Sequence, residues 1–348
     1  MVRQAHHGRL WEFVASNCQH PPRTVMCQNP PMPRIALVTA IAAHALDDDM
    51  PTLLDAAHAA GLQADVRAWD DPTVAWSRYD IALLRSTWDY STRLPEFLAW
   101  CARTSRTTRL LNPFAVVRWN TDKHYLEQLE AAGIPIVPSA FIEPDGDAAT
   151  AVAAFLDAHQ DAAEIVVKPA VGAGSRDARR HRRDAVATIQ AHTQYLLDAG
   201  RSALLQPYLP LVDTAGETSL MYFEGAYSHA IRKGPLLRTD EDATRALFAA
   251  EHIQPRTPDA DERALADRII AALPQLVDAE FPLTYARVDL IRAVDGSPCL
   301  LELELAEPSL FLATDAEAGP RFAAVLRARL ADPKPPAHGS TGSPRTVG

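Results

Sequence analysis

The chain has 348 residues, 47% of them hydrophobic and 22% charged, which is enough apolar material for a large core split over two or three compact units. A formal net charge of −10 argues against a general nucleic-acid binder, which would carry a basic face. The four cysteines (Cys18, Cys27, Cys101, Cys299) form no Cys-x-x-Cys pair, so a disulfide scaffold or zinc site is not expected and a reducing cytoplasm is the simplest compartment.

No apolar run reaches the roughly 18 residues a membrane helix needs, and the N-terminus lacks a basic start followed by an apolar block. Residues 1–33, rich in His, Gln and Pro, and residues 331–348, nearly free of large apolar side chains, read as weakly ordered ends. Between them the pattern opens as β-α-β. Ile35–Val38 is a strand, a helix with apolar positions Leu53, Leu54, Ala57 and Ala60 closes at Gly61, and Ala64–Ala68 and Ile81–Leu84 are further strands. Asp47-Asp48-Asp49 is read as an N-cap with favourable charge at that helix start. This alternation predicts a small open α/β domain with a parallel sheet over residues 34–118.

Ligands of open α/β sheets bind beyond the carboxyl ends of strands, so Arg85, Ser86, Thr87 and Asp89, directly after the third strand, are candidates for gripping a small zwitterion. A helix over Leu94–Cys101 and the strand-like Leu110-Leu111 follow. The run from Trp119 through Lys123 opens a helix to Ala132, capped by Gly133. Next come the extended stretch Pro135–Phe141, a helix over Ala148–His159, and the buried strand Ile165–Val167 ending in Lys168-Pro169. A Gly172–Ser175 loop, a charged stretch, a helix over Ala185–Ala199 and a strand over Ala203–Gln206 complete this part. Thr218–Phe223 and Ala226–Ile231 form a hairpin about Glu224-Gly225, a helix spans about Asp261–Ala279, and Tyr285–Ile291 pairs with Cys299–Leu305 through a turn containing Asp295-Gly296.

That last pair carries the clearest chemistry. Strand side chains repeat every second residue, so Arg287 and Asp289 share one face, and Glu302 and Glu304 share another that pairing brings beside it. Two carboxylates ~7 Å apart repel by roughly 2 kcal/mol at an effective dielectric near 20. Such a face needs cations, and hard oxygen ligands favour Mg²⁺ or Mn²⁺, completed by phosphates and water. Lys168 before the Gly172–Ser175 loop offers a point charge and approachable backbone N–H groups for phosphate, although neither a P-loop nor a Rossmann fingerprint is present. His44, His58, His124, His159, His192 and His252 show no metal-like spacing; His229, on the hairpin, is the one with a candidate substrate contact. The basic run Arg179–Arg183 is read as a solvated loop face.

The order of these features, Lys123, then Lys168 with its loop, then Gln206–Leu209, Glu217, Arg232-Lys233, Arg287-x-Asp289 and Glu302-x-Glu304, resembles the ATP-grasp ligases over residues 119–312. The glutathione synthetase and ribosomal-protein-modification branch is the most similar. The stretches Arg85–Tyr90, Arg118–Asn120, Tyr222-Phe223, Ser228–Lys233 and Glu302–Phe311 look most like the cyclo-ligases that act on O-ureido-D-serine, the D-cycloserine synthetases. The resemblance implies an ATP-grasp fold of the α/β (α+β) class: a substrate domain over 34–118, a lid subdomain over 119–206 and a metal-bearing subdomain over 207–330. It implies ATP as cofactor, with Lys123 and Lys168 on its phosphates, Gly172, Gly174 and Ser175 closing over them, Gln206, Tyr208 and Leu209 along the adenine edge and Glu217 at the ribose. Asp289, Glu302 and Glu304 would hold two Mg²⁺ ions, with Mn²⁺ an alternative, where the family often has Asn in place of Glu304. Arg287 would steady the transferring phosphoryl group, assisted by Arg232 or Lys233, and Glu307-Pro308-Ser309 would turn toward the substrate pocket, with Ser309 a substrate contact.

The implied reaction turns a small amino-acid-like carboxylate into an acyl phosphate for attack by nitrogen, in the same molecule or in a second amino acid or peptide. A nucleotide-binding module without ligase activity is the alternative from another class. Neither a nucleic acid nor a membrane is expected as partner, and the oligomeric state, a homo-oligomer included, is left open.

Overall fold

The computed structural model describes residues 32–238 and 252–332. By its contacts the chain divides into Met1–Met32 and Pro33–Gly348, and every element named below belongs to the second unit. Of the predicted ends, 1–33 and 331–348, residues 1–31 and 333–348 lie outside the described residues, and Ala331 closes the last helix.

The N-terminal part runs β1 (Arg34–Thr39), α1 (Asp49–Ala59), β2 (Gln63–Ala68), β3 (Ile81–Ser86), α2 (Leu94–Thr104) and β4 (Arg109–Leu111). Its four strands form the expected parallel sheet in the order β2-β1-β3-β4. Residues 35–39 of β1 and all of β3 are buried, as strands covered on both faces must be. The chain leaves β1 toward β2 on one side and returns to β3 on the other, so a crevice opens at the carboxyl ends of β1 and β3.

Two short helices follow, α3 (Phe114–Asn120) and α4 (Tyr125–Ala131), where one helix through Lys123 was expected. Lys123 stands in the break between them, its backbone N–H bonded to the Ala170 carbonyl. Both helices pack into the core of the C-terminal sheet: Val116, Tyr125, Leu126 and Leu129 join Leu220, Tyr222, Leu265 and Leu303. They therefore lie outside the small sheet expected to form a lid and called the lid sheet below, which with its two helices comprises β5 (Ala140–Ile142), α5 (Ala148–Ala158), β6 (Glu164–Pro169), β7 (Arg179–Arg182), α6 (Val186–Asp198) and β8 (Ala203–Pro207). The lid sheet is antiparallel, in the order β5-β8-β6-β7, with a core of its own from Val152, Phe155, Ile165, Val167, Ile189 and Leu196.

The basic run, read as a loop, is mostly strand β7. Its charges are engaged: Arg180 pairs with Glu164 and Asp213 and lies 3.5 Å over the Tyr208 ring, and Arg183 donates to the carbonyls of Leu156, His159 and Ala162.

The last part comprises α7 (Val212–Ala215), β9 (Glu217–Phe223), β10 (Ala226–Lys233), β11 (Ile253–Pro255), α8 (Ala260–Leu276), β12 (Tyr285–Arg292), β13 (Pro298–Glu304) and α9 (Ala318–Ala331). Its antiparallel sheet has the order β11-β10-β9-β12-β13. The β9–β10 turn falls on Glu224-Gly225 as expected; both residues have positive φ, 49° and 75°, which a tight hairpin requires and glycine tolerates best. Helix α9 had no counterpart in the sequence reading. Phe322 and Leu326, four apart, bury its inner face against α1 and the sheet.

The N-terminal and C-terminal sheets share one core, in which Ile35, Leu37 and Leu53 meet Met221, Phe223, Tyr285 and Phe322. Each such side chain contributes roughly 2 kcal/mol by leaving water. Asn112 bridges the two parts with polar contacts: it donates to the carbonyls of Tyr285 and Leu305 and accepts from the Thr284 N–H. No helix among the described residues is long and apolar enough to cross a membrane.

Candidate active site

A cavity of about 490 Å³ opens between the lid sheet, the C-terminal sheet and the crevice of the N-terminal sheet. Its floor is the β12–β13 pair. The antiparallel register sets Arg287 opposite Glu304 and Asp289 opposite Glu302, so all four side chains stand on one face. Past Asp289 the register shifts and Leu301 becomes the extra residue of a bulge. Leu301 therefore lines the cavity instead of joining Leu303 and Leu305 in the core.

Cations clamp this acidic floor. Arg287 donates through Nε to Asp289 Oδ1 at 2.9 Å and through Nη2 to Asp289 Oδ2 at 2.8 Å, and its Nη2 also pairs with Glu304. Lys233, from β10, lies 3.3 Å from Asp289 and 2.7 Å from Glu217. Lys123 Nζ is 2.9 Å from Glu302 Oε1 and donates to the Gly172 carbonyl at 3.1 Å. Burial acts to raise Asp289, but Arg287 and Lys233 outweigh it and hold the carboxyl well below the usual range. Glu302 is likewise lowered, because Lys123 and Lys168 overcome its burial. Glu304 goes the other way: burial, reinforced by Asp289 and Glu302, exceeds the pull of Arg287. Among the described residues no three His, Cys, Asp or Glu side chains converge into a ready metal cage. The three predicted metal ligands share the face, each tied to a basic side chain.

The roof comes from the lid. Lys168 closes β6 and lines the cavity without an ion pair among the described residues; burial lowers its pKa to about 8, against the pull of Glu302. Gly172, Gly174 and Ser175 line the same space, with positive φ at Gly174 and Ser175 (59° and 57°). Gln206, Tyr208 and Leu209 form one end. There Gln206 donates to Ser139, the Tyr208 hydroxyl bonds Asp213, and the Tyr208 N–H bonds the Glu164 carbonyl. Glu217 lies beside them, raised by burial despite Lys233.

The remaining wall corrects the sequence reading. Arg85, Ser86, Thr87 and Asp89 do not line the cavity. Strand β3 continues through Arg85 and Ser86, carrying them inside. Arg85 is 1% exposed and pairs with Asp49; Ser86 bonds Thr39; Thr87 is buried; Asp89 accepts from Trp69 Nε1 and Arg93. From the same stretch, Trp88 and Tyr90 reach the cavity instead.

The Asp47–Asp49 triplet is no simple helix start. Asp47 accepts the Asp49 N–H, and the Asp49 carboxylate accepts the N–H groups of Leu310, Phe311 and Leu312 at 2.6, 2.9 and 2.6 Å. His229 lies outside the cavity lining as well. Its Nε2 donates to the Leu310 carbonyl, and burial lowers its pKa. Arg232, on the face of β10 opposite Lys233, donates to the carbonyls of Thr214 and Ala215 at the end of α7 and is also outside the lining. Ser309 lines the cavity as expected, its carbonyl accepting from Arg287. The reading missed Trp88 and Tyr90, for which the available signal was an aromatic pair at the end of a sheet strand; Glu307, expected to turn toward the substrate pocket, lines the cavity but was given no chemical role.

A nucleotide-sized cavity between an antiparallel lid sheet and an acidic antiparallel floor, behind a parallel N-terminal domain, defines an ATP-grasp ligase. PsnB, an ATP-grasp ligase solved in complex with a precursor variant, Mg and ADP, has this fold at a TM-score of 0.56 and 15% identity, over 86% of this chain and 99% of that one. Residues 35–112 match the family described as D-cycloserine synthetase DcsG, N-terminal domain. The cycloserine biosynthesis protein DcsG of Streptomyces lavendulae is 43% identical over 296 residues, 85% of this chain and 98% of the relative. The crystal structure of D-cycloserine synthetase DcsG superposes with a TM-score of 0.80 at 42% identity, over 85% of this chain and 99% of that one. The chain belongs to the D-cycloserine synthetase family and is an ATP-dependent ligase.

Proposed function

We propose that this ligase activates the carboxylate of O-ureido-D-serine as an acyl phosphate and closes the ring of D-cycloserine with a nitrogen of the same molecule. The likeness to DcsG, 43% identical over nearly the whole relative, carries the proposal. The carboxylate oxygen attacks the γ-phosphorus and ADP leaves; the nitrogen then attacks the acyl carbon and phosphate leaves. Water cleaves the bond between the ring nitrogen and the carbamoyl carbon, the ring nitrogen gains the proton, and the carbamate released breaks down to carbon dioxide and ammonia.

The residues fit a hard divalent cation. Mg²⁺ takes one or two carboxylates and completes its shell with phosphates and water, so Asp289, Glu302 and Glu304 on one strand face suffice without a closed cage. When bound, such an ion neutralises phosphate charge. Lys123 and Lys168 would hold the phosphates, the loop Gly172–Ser175 would cover them, Gln206 to Leu209 would meet the base, and Glu217 the ribose. Arg287 and Lys233, already paired with Asp289, are the cations available to oppose charge on the transferring phosphoryl group. The lid would keep water from the acyl phosphate.

Incubation with Mg-ATP and a panel of amino acids, dipeptides and O-ureido-D-serine, read by ADP release and mass spectrometry, tests this. ADP and D-cycloserine from O-ureido-D-serine are expected. A linear dipeptide as the sole product would refute ring closure, and ATP binding without turnover on any member would refute the carboxylate–nitrogen chemistry.

A further inference from the structure

One buried acid of the cavity has no role in the chemistry above. Glu307 lines the cavity, is 7% exposed and lies three residues past Glu304. Among the described residues it has no ion pair, whereas Asp49, Glu217, Asp289, Glu302 and Glu304, the other acids of the lining that are engaged by cations, each have a basic side chain within 4 Å. Asp47 and Asp48 also lack one, but Asp48 is exposed, and Asp47, whose Oδ1 accepts the Asp49 N–H while its buried Oδ2 has no hydrogen-bond partner among the described residues, lies under the pull of Arg85. A carboxylate clamped by a guanidinium or ammonium is a weak proton acceptor, because the cation stabilises its charged form. Glu307 escapes that clamp.

Its surroundings hold it in place. The Trp88 indole N–H donates to the Glu307 carbonyl at 3.4 Å, and the buried Tyr90 hydroxyl is turned toward its carboxyl. The charges of Lys123, Glu302 and Arg287 act on it, and its own charge acts on Cys101 and Tyr285. In the chain it joins the floor that ends at Glu304 to Ser309, whose carbonyl Arg287 holds. This is the seam between the phosphate-facing floor and the wall made by Trp88, Tyr90 and Ser309.

Resting on the ligase reading above, we propose that Glu307, oriented by Tyr90, is the catalytic base that takes the proton from the attacking nitrogen. As the C–N bond forms and the bond from the acyl carbon to the phosphate oxygen breaks, the N–H proton moves to the Glu307 carboxylate, phosphate departs, and Glu307 returns the proton to water when the lid opens. Burial raises the Glu307 carboxyl to about 7, opposed by Tyr90 and Lys123, which suits a base working near neutral pH.

The test separates the two half-reactions. Wild type, Glu307→Gln and Tyr90→Phe receive Mg-ATP and O-ureido-D-serine; hydroxylamine traps the acyl phosphate as a hydroxamate, and mass spectrometry follows the ring product. Glu307→Gln is expected to lose about 100-fold or more in ring formation, the scale of a missing general base, while trapping hydroxamate within about threefold of wild type. The wild-type ring-forming rate should fall below about pH 7, and that bend should be absent from the residual rate of Glu307→Gln. Tyr90→Phe removes a group that favours the charged carboxylate, so its bend should move to higher pH, which a purely structural role would not produce. Ring formation by Glu307→Gln within threefold of wild type, an equal fall in hydroxamate and ring product, or an unmoved bend in Tyr90→Phe each overturns the inference. The Tyr90→Phe profile decides it if Glu307→Gln does not fold. Wild type that yields neither hydroxamate nor ring product instead refutes the ligase reading, and this inference with it.

Discussion

Two buried arginine–aspartate pairs flank the cavity. On the floor, Arg287 clamps Asp289; behind the N-terminal wall, Arg85 lies 3.4 Å from Asp49. All four residues are at most 5% exposed. Burial and charge therefore do not tell the pairs apart. The other groups on each acid do. Asp49 is saturated by three backbone N–H groups of residues 310–312, contacts that belong to the scaffold. Asp289 meets side chains only, Arg287, Lys233 and Ser219, which can reorient when phosphate or a metal ion arrives. A buried ion pair becomes a functional candidate when its partners are exchangeable.

The strongest challenge to this contrast is Glu302→Gln. Removing a floor charge should lower ADP release with O-ureido-D-serine by about 10²–10³-fold, the scale of losing one well-placed electrostatic group, with little change in the urea midpoint. A full-rate variant would mean the floor does not serve phosphate or metal.

Asp49→Asn should act on stability. Breaking a buried pair by removing one partner costs about 3–5 kcal/mol, read from urea unfolding, with loss of amide-exchange protection at Leu310, Phe311 and Leu312. A variant as stable as wild type but unable to bind substrate would erase the contrast.

Lys168 sharpens it through pH. Its pKa in the free protein is about 8, so it is charged below that pH and largely neutral above it. Phosphate favours the charged form, so binding above pH 8 must take up a proton. Mg-ATP affinity should weaken by up to about tenfold per unit from there toward the usual lysine value near 10.4, and calorimetry in buffers of different ionisation enthalpy should report proton uptake. Lys168→Arg should flatten that dependence.

The smallest effect belongs to the wall. Asp89→Asn keeps an acceptor for Trp69 and weakens only the partly exposed contact to Arg93, so about 1 kcal/mol of stability and less than about threefold in ADP release are expected.

Much of the floor was legible because it rests on local rules. Period-two alternation put Arg287 with Asp289 and Glu302 with Glu304 on shared faces, and a short turn implied their pairing. Lys168 was legible for the same reason, as the polar end of an apolar strand before glycines. The wall was not. Arg85 looked like a ligand-binding loop residue because nothing local announced that β3 would run two residues further and bury it against Asp49. His229 and Arg232 looked available because their acceptors, the carbonyls of Leu310, Thr214 and Ala215, have no signature in the chain. Helix α9 was passed over because its short apolar stripe makes sense only against α1 and the C-terminal sheet.

By itself, then, the sequence determined most of the strands and helices, the acidic strand face and the order of lysines, loop and acids, since these follow from side-chain periodicity and backbone preference over a few residues. Only the tertiary structure decided which charges are exchangeable. Residues more than two hundred positions apart, such as Trp88 and Glu307 or Asp49 and Leu310, meet through the packing of two sheets. Whether a buried charge is saturated by backbone or free to act depends on such long-range partners.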